Sequence, residues 1–385
     1  MIVAGEASGD MHAAHLIDEL RQLDPGIRVR AMGGQALARA GAEILVDNRE
    51  LAVVGLVEVL RHYPDIRRAL KRLQTELDIN PPDLLILVDY VEFNLKLARH
   101  ARRRGVKVLF YISPQVWAWR QGRVKKIGER IDMMAVIFPF EVEFYRRHGI
   151  PVRYVGNPLT GKVKATRSLE ENRRHFGIDA SRPVIGLQPG SRRSEISRLA
   201  PLFLATAQKI RQQRPDIQFL LPVAPGLQRR DIEALIPGND FIRLIEHESP
   251  YDVMQVCDAI LTACGTATLE TGLMGIPMAV AYRVSPLSYA ILSRLVRIPH
   301  VALVNIVAGR EIVREFIQND ARPSALADEM LALIENPNYR DDIIAGLAGL
   351  KEKLGPAQGS RKIAELALEM LQRHQATTGT APSKT

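Results

Sequence analysis

Short apolar runs alternate with amphipathic helical stretches twice along this chain, and few architectures accept that rhythm. In the first half the strand candidates are residues 2–4, 28–32, 84–88, 108–112, 134–137 and 152–155, separated by helical stretches such as 12–23 and 95–104. The second half repeats the pattern at 184–187, 219–223, 242–244, 259–261 and 278–281. Strand and helix in alternation predict parallel sheets covered on both faces. The fold class is therefore α/β, with two doubly wound domains and the cleft between them as the expected active site. A chain of 385 residues, 46% apolar, is long enough to give each domain its own core. The break falls near Gly156-Asn157-Pro158, which sets a first domain at 1–158 and a second at 159–338. The helical end 339–374 has no strand left to pair and is expected to pack back on the first domain. Residues 375–385, rich in Thr, Pro, Gly and Lys, read as a disordered tail.

Composition removes several function classes. The two cysteines, Cys257 and Cys264, fit neither a disulfide framework nor paired metal ligands, and a reduced cytosol is the natural compartment. No apolar run approaches the roughly 20 residues of a membrane span, and the N-terminus has no charged leader before an apolar stretch. The net charge of +9 suits nucleic acid, an anionic membrane surface or acidic substrates. Nucleic-acid binders interleave cations with stacking aromatics, whereas this chain is 5% aromatic and lacks their motifs, so no nucleic-acid partner is expected. Many cations also alternate with acids, as in Lys351-Glu352-Lys353, which reads as solvated surface.

Two Gly-rich stretches of the second half each end an apolar run and open a helical one. They are Gln188-Pro189-Gly190-Ser191-Arg192-Arg193-Ser194-Glu195 and Thr262-Ala263-Cys264-Gly265-Thr266-Ala267-Thr268-Leu269-Glu270. Backbone amides at such helix starts, aided by the helix dipole, favour a phosphate. Arg192 and Arg193 add fixed charge, and Glu270, placed in the first helical turn, is positioned to accept hydrogen bonds from vicinal sugar hydroxyls. Diphosphate followed by ribose is the shape of a nucleotide. In the first half, the loop Gly5-Glu6-Ala7-Ser8-Gly9-Asp10 and Asp89 stand at carboxyl ends of strands, where doubly wound sheets bind ligands. His12 and His15 have the spacing of metal ligands without a third partner, so no metal is assigned.

Together with 4–10, 189–192 and 265–270, the strings Ser113-Pro114-Gln115-Val116-Trp117-Ala118-Trp119-Arg120 and Asn305-Ile306-Val307-Ala308-Gly309-Arg310-Glu311 closely resemble the lipid-A-disaccharide synthase family, from about residue 2 to residue 370. The resemblance implies two Rossmann-like domains of the GT-B fold and an inverting glycosyltransferase without cofactor. Its donor would be UDP-2,3-diacylglucosamine and its acceptor 2,3-diacylglucosamine 1-phosphate (lipid X), giving a β-1,6-linked disaccharide phosphate and UDP. Three positions depart from the pattern. The chain starts inside the first strand, which reads as a misassigned start; Asn157-Pro158-Leu159 stands where relatives have His-Pro-Leu; and Val91 stands where Pro is common.

Inverting transfer needs a base, a stabilised leaving diphosphate and an oriented donor. Asp89 is the candidate base; the alternative is a structural Asp, although it lies early to cap the helix starting near Asn94. Glu6 and Ser8 match family active-site positions, while Asp10 reads as an N-terminal helix acid. No Asp-x-Asp motif holds a metal to the donor, so Arg192 with the amides of Ser191, Gly265 and Thr266 is expected to stabilise the diphosphate. Gln188, Gly190, Ala267, Glu270 and Asn305 complete the donor set, with Asn305 placed near the donor sugar or its phosphate. Trp117 and Arg120 are assigned to the acceptor and its phosphate, with a core role for the tryptophans as the alternative.

Acylated substrates live in a bilayer, so a peripheral association with the inner membrane on its cytoplasmic side is expected. Residues 53–60, with Val57, Val59 and Leu60, are followed by Arg61, His62, Arg67, Arg68, Lys71 and Arg72, the make-up of an interfacial docking element. A buried helix beside a solvated one is the other reading. A UDP-N-acetylglucosamine 2-epimerase shares the fold and the diphosphate loops, and a silent nucleotide-sugar binder would share them too. Exchange of the C-terminal helices between two copies makes a homodimer conceivable.

Overall fold

The computed structural model describes residues 1–48, 63–118, 121–224, 227–238, 240–285, 289–290, 293–294, 298–356 and 358–378. The chain divides into two units, Met1–Pro158 with Pro356–Thr385, and Leu159–Gly355.

In the first unit the strands are β1 (Ile2–Ala4), β2 (Arg30–Gly33), β3 (Glu43–Asp47), β4 (Leu84–Val88), β5 (Lys107–Tyr111), β6 (Met133–Val136) and β7 (Val152–Tyr154). They form a parallel sheet in the order β3-β2-β1-β4-β5-β6-β7. β4 is buried at every residue because side chains alternate between two covered faces. Val3, Leu85, Leu87, Val108 and Phe110 join a core under the helices Tyr63–Ile79 and Val91–Arg103. Ile2, Ala4, Ile86, Val88, Leu109 and Tyr111 join the opposite one. There the helix Ala7–Leu23 buries Ala13, Leu16, Ile17 and Leu20, the spacing of one helical face, beside Ile363, Ala364, Leu366 and Ala367 of the terminal helix Gly359–Thr378.

The second unit holds β8 (Val184–Gln188), β9 (Gln218–Pro222), β10 (Ile242–Ile245), β11 (Ala259–Ala263), β12 (Met278–Tyr282) and β13 (Glu315–Ile317), again parallel, in the order β10-β9-β8-β11-β12-β13. The sequence pattern misses two strands, β3 and β13. Both are sheet edges, so neither carries a fully apolar run: β3 exposes Glu43, and β13 is Glu-Phe-Ile with only the Phe buried.

The helical end is divided rather than returned whole from residue 339. The helix Pro337–Leu354 belongs to the second unit, where Leu350 lies so near Gly272 that a Cβ there would come within 2.8 Å of it. The chain passes to the first unit at Pro356, after Gly355 has ended that helix at φ +65°.

Candidate active site

Each sheet reverses its strand order once, between β1 and β4 in the first unit and between β8 and β11 in the second. Loops leaving two such strands run to opposite faces and open a crevice at their carboxyl ends. Glu6, Ser8 and Asp89 follow strands at the first of these points, and the stretches 188–192 and 265–270 follow strands at the second.

In the first unit, β1 leads to Glu6 and Ser8, and β4 leads to Asp89. Asp89 and Tyr90 are both left-handed, at φ 46° and 41°, a conformation that costs non-glycine residues of order 1–3 kcal/mol each. Neighbours hold them there. The buried Asn94 amide donates to the carbonyls of Val88 (3.3 Å) and Asp89 (2.7 Å), and the Asp89 amide donates to Tyr111 O at 3.2 Å. The Tyr90 ring lies where a Cβ on Gly5 would come within 2.3 Å, so position 5 has to be glycine for the turn to close. Burial, followed by the charge of Glu6, pushes the Asp89 carboxyl up to about 6. A carboxylate of that affinity is ionised at neutral pH and is basic enough to take a proton from a hydroxyl.

Asp10 is the acid in the first turn of the helix Ala7–Leu23, as expected, and it also works outside that helix. Its carboxylate accepts from the amides of Gly34 (2.6 Å), Ala36 (2.9 Å) and Leu37 (3.4 Å), pinning the turn after β2. Trp117 is 7% exposed and packs edge-on against Phe140, and its Nε1 donates to Glu141 at 3.1 Å. This corrects the expectation of an open substrate contact: the indole anchors the loop after β5. Arg120, Trp119, Val57, Val59 and Leu60 lie outside the described residues.

In the second unit, Gln188 and Thr262 are register partners on β8 and β11, and Thr262 Oγ1 donates to Gln188 Oε1 at 3.3 Å. The two Gly-rich loops are therefore neighbours. Gly190 is left-handed (φ +116°), and a Cβ there would meet Glu195. Glu195 closes a capping box on the helix Arg193–Gln213, accepting from the amides of Ser191 (3.2 Å) and Arg192 (3.3 Å). Those two amides are thus already partnered. The Arg192 side chain is 69% exposed, with Glu195 at 3.5 Å. Across the crevice, Gly265 caps the helix Thr266–Leu273 without a side-chain bond, and the amides of Thr266 and Ala267 have no partner among the described residues.

Glu270 stands in the second turn of that helix rather than the first. It is half-buried, accepts from Tyr251 Oη at 3.0 Å, and burial raises its affinity for a proton against the pull of that bond. Asn305, expected near the donor sugar or its phosphate, commits its side chain to the protein itself. It is fully buried, donates to Val313 O and Glu315 Oε1 at 2.8 Å each, and accepts from the amides of Ile312 (2.8 Å) and Val313 (3.1 Å). A buried amide must satisfy all its polar atoms, and this one does so by closing the loop into β13.

Three participants escape the sequence pattern. Asn94 reads as an ordinary helix-start residue and Glu141 as a first-turn acid behind Pro139, so each role is hidden behind a commonplace one. Glu195 is visible as a capping-box acid. Tyr251 leaves no signal.

The family described as lipid-A-disaccharide synthetase matches residues 1–366. A lipid-A-disaccharide synthase of Geobacter sulfurreducens is 52% identical over 371 residues, covering 96% of this chain and 97% of that one. Among solved structures, UDP-GlcNAc 2-epimerase from Neisseria meningitidis bound to UDP-GlcNAc superposes with a TM-score of 0.66 at 16% identity, covering 96% of this chain and 99% of that one. The glycotransferase of kitacinnamycin superposes at 0.63 and 16% identity, covering 96% and 98%. At that identity the two structures establish the GT-B fold alone, because epimerases and transferases share it. Similarity along nearly the whole sequence decides between them: the chain belongs to the lipid-A-disaccharide synthase family.

Proposed function

We propose that this chain is the inverting glycosyltransferase that joins UDP-2,3-diacylglucosamine to 2,3-diacylglucosamine 1-phosphate, releasing UDP. The observation that carries this reading is Asp89, half-buried on a strained turn at the first sheet's reversal point, with its proton affinity raised towards neutrality. In the reaction Asp89 takes the proton of the acceptor's 6-hydroxyl as its oxygen bonds to the donor's C1. The bond from C1 to the diphosphate breaks on the opposite face, which inverts the anomeric centre. Glu6 and Ser8 orient hydroxyls beside it.

The donor half of the reading is supported by the amides of Thr266 and Ala267, which have no partner among the described residues, and by the solvent-reaching guanidinium of Arg192. Preorganised donors of this kind meet the charge that develops on a leaving diphosphate. In this reading Glu270, hydrogen-bonded to Tyr251, accepts from the ribose hydroxyls. A surface association is supported by the exposed Arg67, Arg68, Lys71 and Arg72, and no described helix is long and apolar enough to cross a membrane.

Incubating the full chain with both lipid substrates, with and without chelator, tests the proposal. The expected outcome is equimolar disaccharide phosphate and UDP, insensitive to chelation. Asp89→Asn should lose about 10²–10⁴ in kcat while still binding UDP. Epimerised UDP-N-acetylglucosamine without any disaccharide would overturn the assignment in favour of the 2-epimerase reading.

A further inference from the structure

A glutamate at the third position of a helix needs only one carboxylate oxygen for its cap. Glu141 uses Oε2 in that way, accepting from the Phe138 amide at 3.0 Å. Its other oxygen reaches back 28 and 24 residues, accepting from Ser113 Oγ at 2.6 Å and Trp117 Nε1 at 3.1 Å. The group is 1% exposed, and among the described residues no cation pairs with it. Burying a carboxylate without a counter-charge is expensive. An exposed acid would cap this helix equally well, so the cap does not account for the burial.

What the burial does is hold the loop after β5. That loop starts beside the base: Tyr111, the last residue of β5, accepts the Asp89 amide, and Ser113 follows two residues on. We propose that Glu141 is a positioning residue of the acceptor half-site, whose ionised form holds Ser113 and Trp117 and thereby sets the segment after β5 beside Asp89. The proposal rests on the transferase reading and adds a residue that acts through others.

Two proton arrangements fit the same heavy atoms. With Glu141 ionised, Ser113 donates to it while accepting from Tyr145 Oη at 3.2 Å. With Glu141 protonated, its own hydroxyl can donate to Ser113, whose proton turns to the Pro114 carbonyl 3.3 Å away. Trp117 then loses a charged acceptor, and its hydrogen bond weakens. Burial, opposed by the bonds from Ser113, Phe138 and Trp117, pushes this carboxyl up to about 7, so both forms are populated near neutrality. The titratable groups that face it, Tyr145 and Tyr154, are driven upward by their own burial and by its charge, and they keep their protons throughout. Phe140 packs edge-on against Trp117 and stacks on Phe138.

The chain has two tryptophans, so in a Trp119→Phe background the emission of the full-length protein reports Trp117 alone. That emission should shift with a midpoint near pH 7, persist in Asp89→Asn, and become pH-independent in Glu141→Gln. In kinetics, Glu141→Gln should raise the acceptor KM about tenfold while kcat and donor KM stay within about twofold. Trp117→Phe removes the N–H donor together with part of the ring and should give at least the same acceptor effect, the double variant being no worse than Trp117→Phe alone. A pH-independent Trp117 emission, or an acceptor KM unmoved in both variants, would overturn the proposal. Failure of the unmodified chain to form disaccharide would instead remove the transferase reading, and the emission titration would stand apart from it.

Discussion

Asp89 concentrates what a single residue can and cannot reveal in a sequence. Its place after five aliphatic residues marks it as a group at a strand's carboxyl end. Its left-handed backbone, the Asn94 clamp and the push from Glu6 depend on neighbours that only folding brings near. The same limit explains Asn305 and Trp117, whose polar atoms are used up inside the protein. A motif shows which residues are present, not which of their atoms remain free. Because burial and Glu6 raise the Asp89 carboxyl to about 6, kcat/KM should fall as pH drops through that value. Glu6→Gln should move the acid limb downward. The sign for stability is opposite to that for activity: ionising a carboxyl whose folded affinity is raised destabilises the fold as pH climbs from about 4 to about 6. Asp89→Asn should therefore melt higher than the parent by about 1–3 kcal/mol at about pH 8, the gap closing near pH 4. An equal gap at both pH values, measured by thermal unfolding, would show that burial does not set this carboxyl.

At the scale of elements, the two helices that face the proposed diphosphate begin differently. Glu195 accepts the amides of Ser191 and Arg192 just ahead of the helix Arg193–Gln213, whereas Gly265 caps Thr266–Leu273 with no side chain; the first two amides inside each helix, Arg193 and Ser194 in one and Thr266 and Ala267 in the other, have no partner among the described residues. The Gly-rich strings made the two starts look equivalent, as paired jaws, because a capping acid three residues downstream stabilises a helix whether or not a ligand visits it. On this geometry both helix starts offer amides to an anion, and what sets the first apart is that Glu195 occupies the two amides ahead of it and places a like charge beside the diphosphate. Glu195→Gln retains an acceptor while removing that charge. UDP should then bind about fivefold more tightly at low salt, the advantage shrinking as ionic strength rises. The helix should lose no more than about 1 kcal/mol of capping. Weaker UDP binding in calorimetry would mean that Glu195 instead orients Arg192 for the ligand.

At the scale of the whole molecule, the alternation of apolar runs made two doubly wound units legible, but not where the chain passes between them at its end. Residues 337–378 are helical almost throughout, and helical periodicity does not say which sheet a helix covers. The deciding features are Gly272, whose missing side chain admits Leu350, and Gly355, which ends the helix at φ +65°. The consequence is a first unit completed by its own distant terminus. Ile363 and Leu366 are fully buried against its core, and two such side chains account for roughly 3–6 kcal/mol of burial. The ion pairs Arg153–Glu369 and Arg361–Glu19 add little, being largely solvated. A domain holds only about 5–15 kcal/mol in reserve, so a chain ending at Gly355 should keep its second unit and lose most of the margin of its first. In calorimetry the transition that UDP raises should be unmoved by the truncation. The other should fall by about 10 °C or more, or vanish into aggregation. If both transitions survived unchanged, the terminal helix would be a passenger on the first unit, and the apolar face of Ala7–Leu23 would need some other cover.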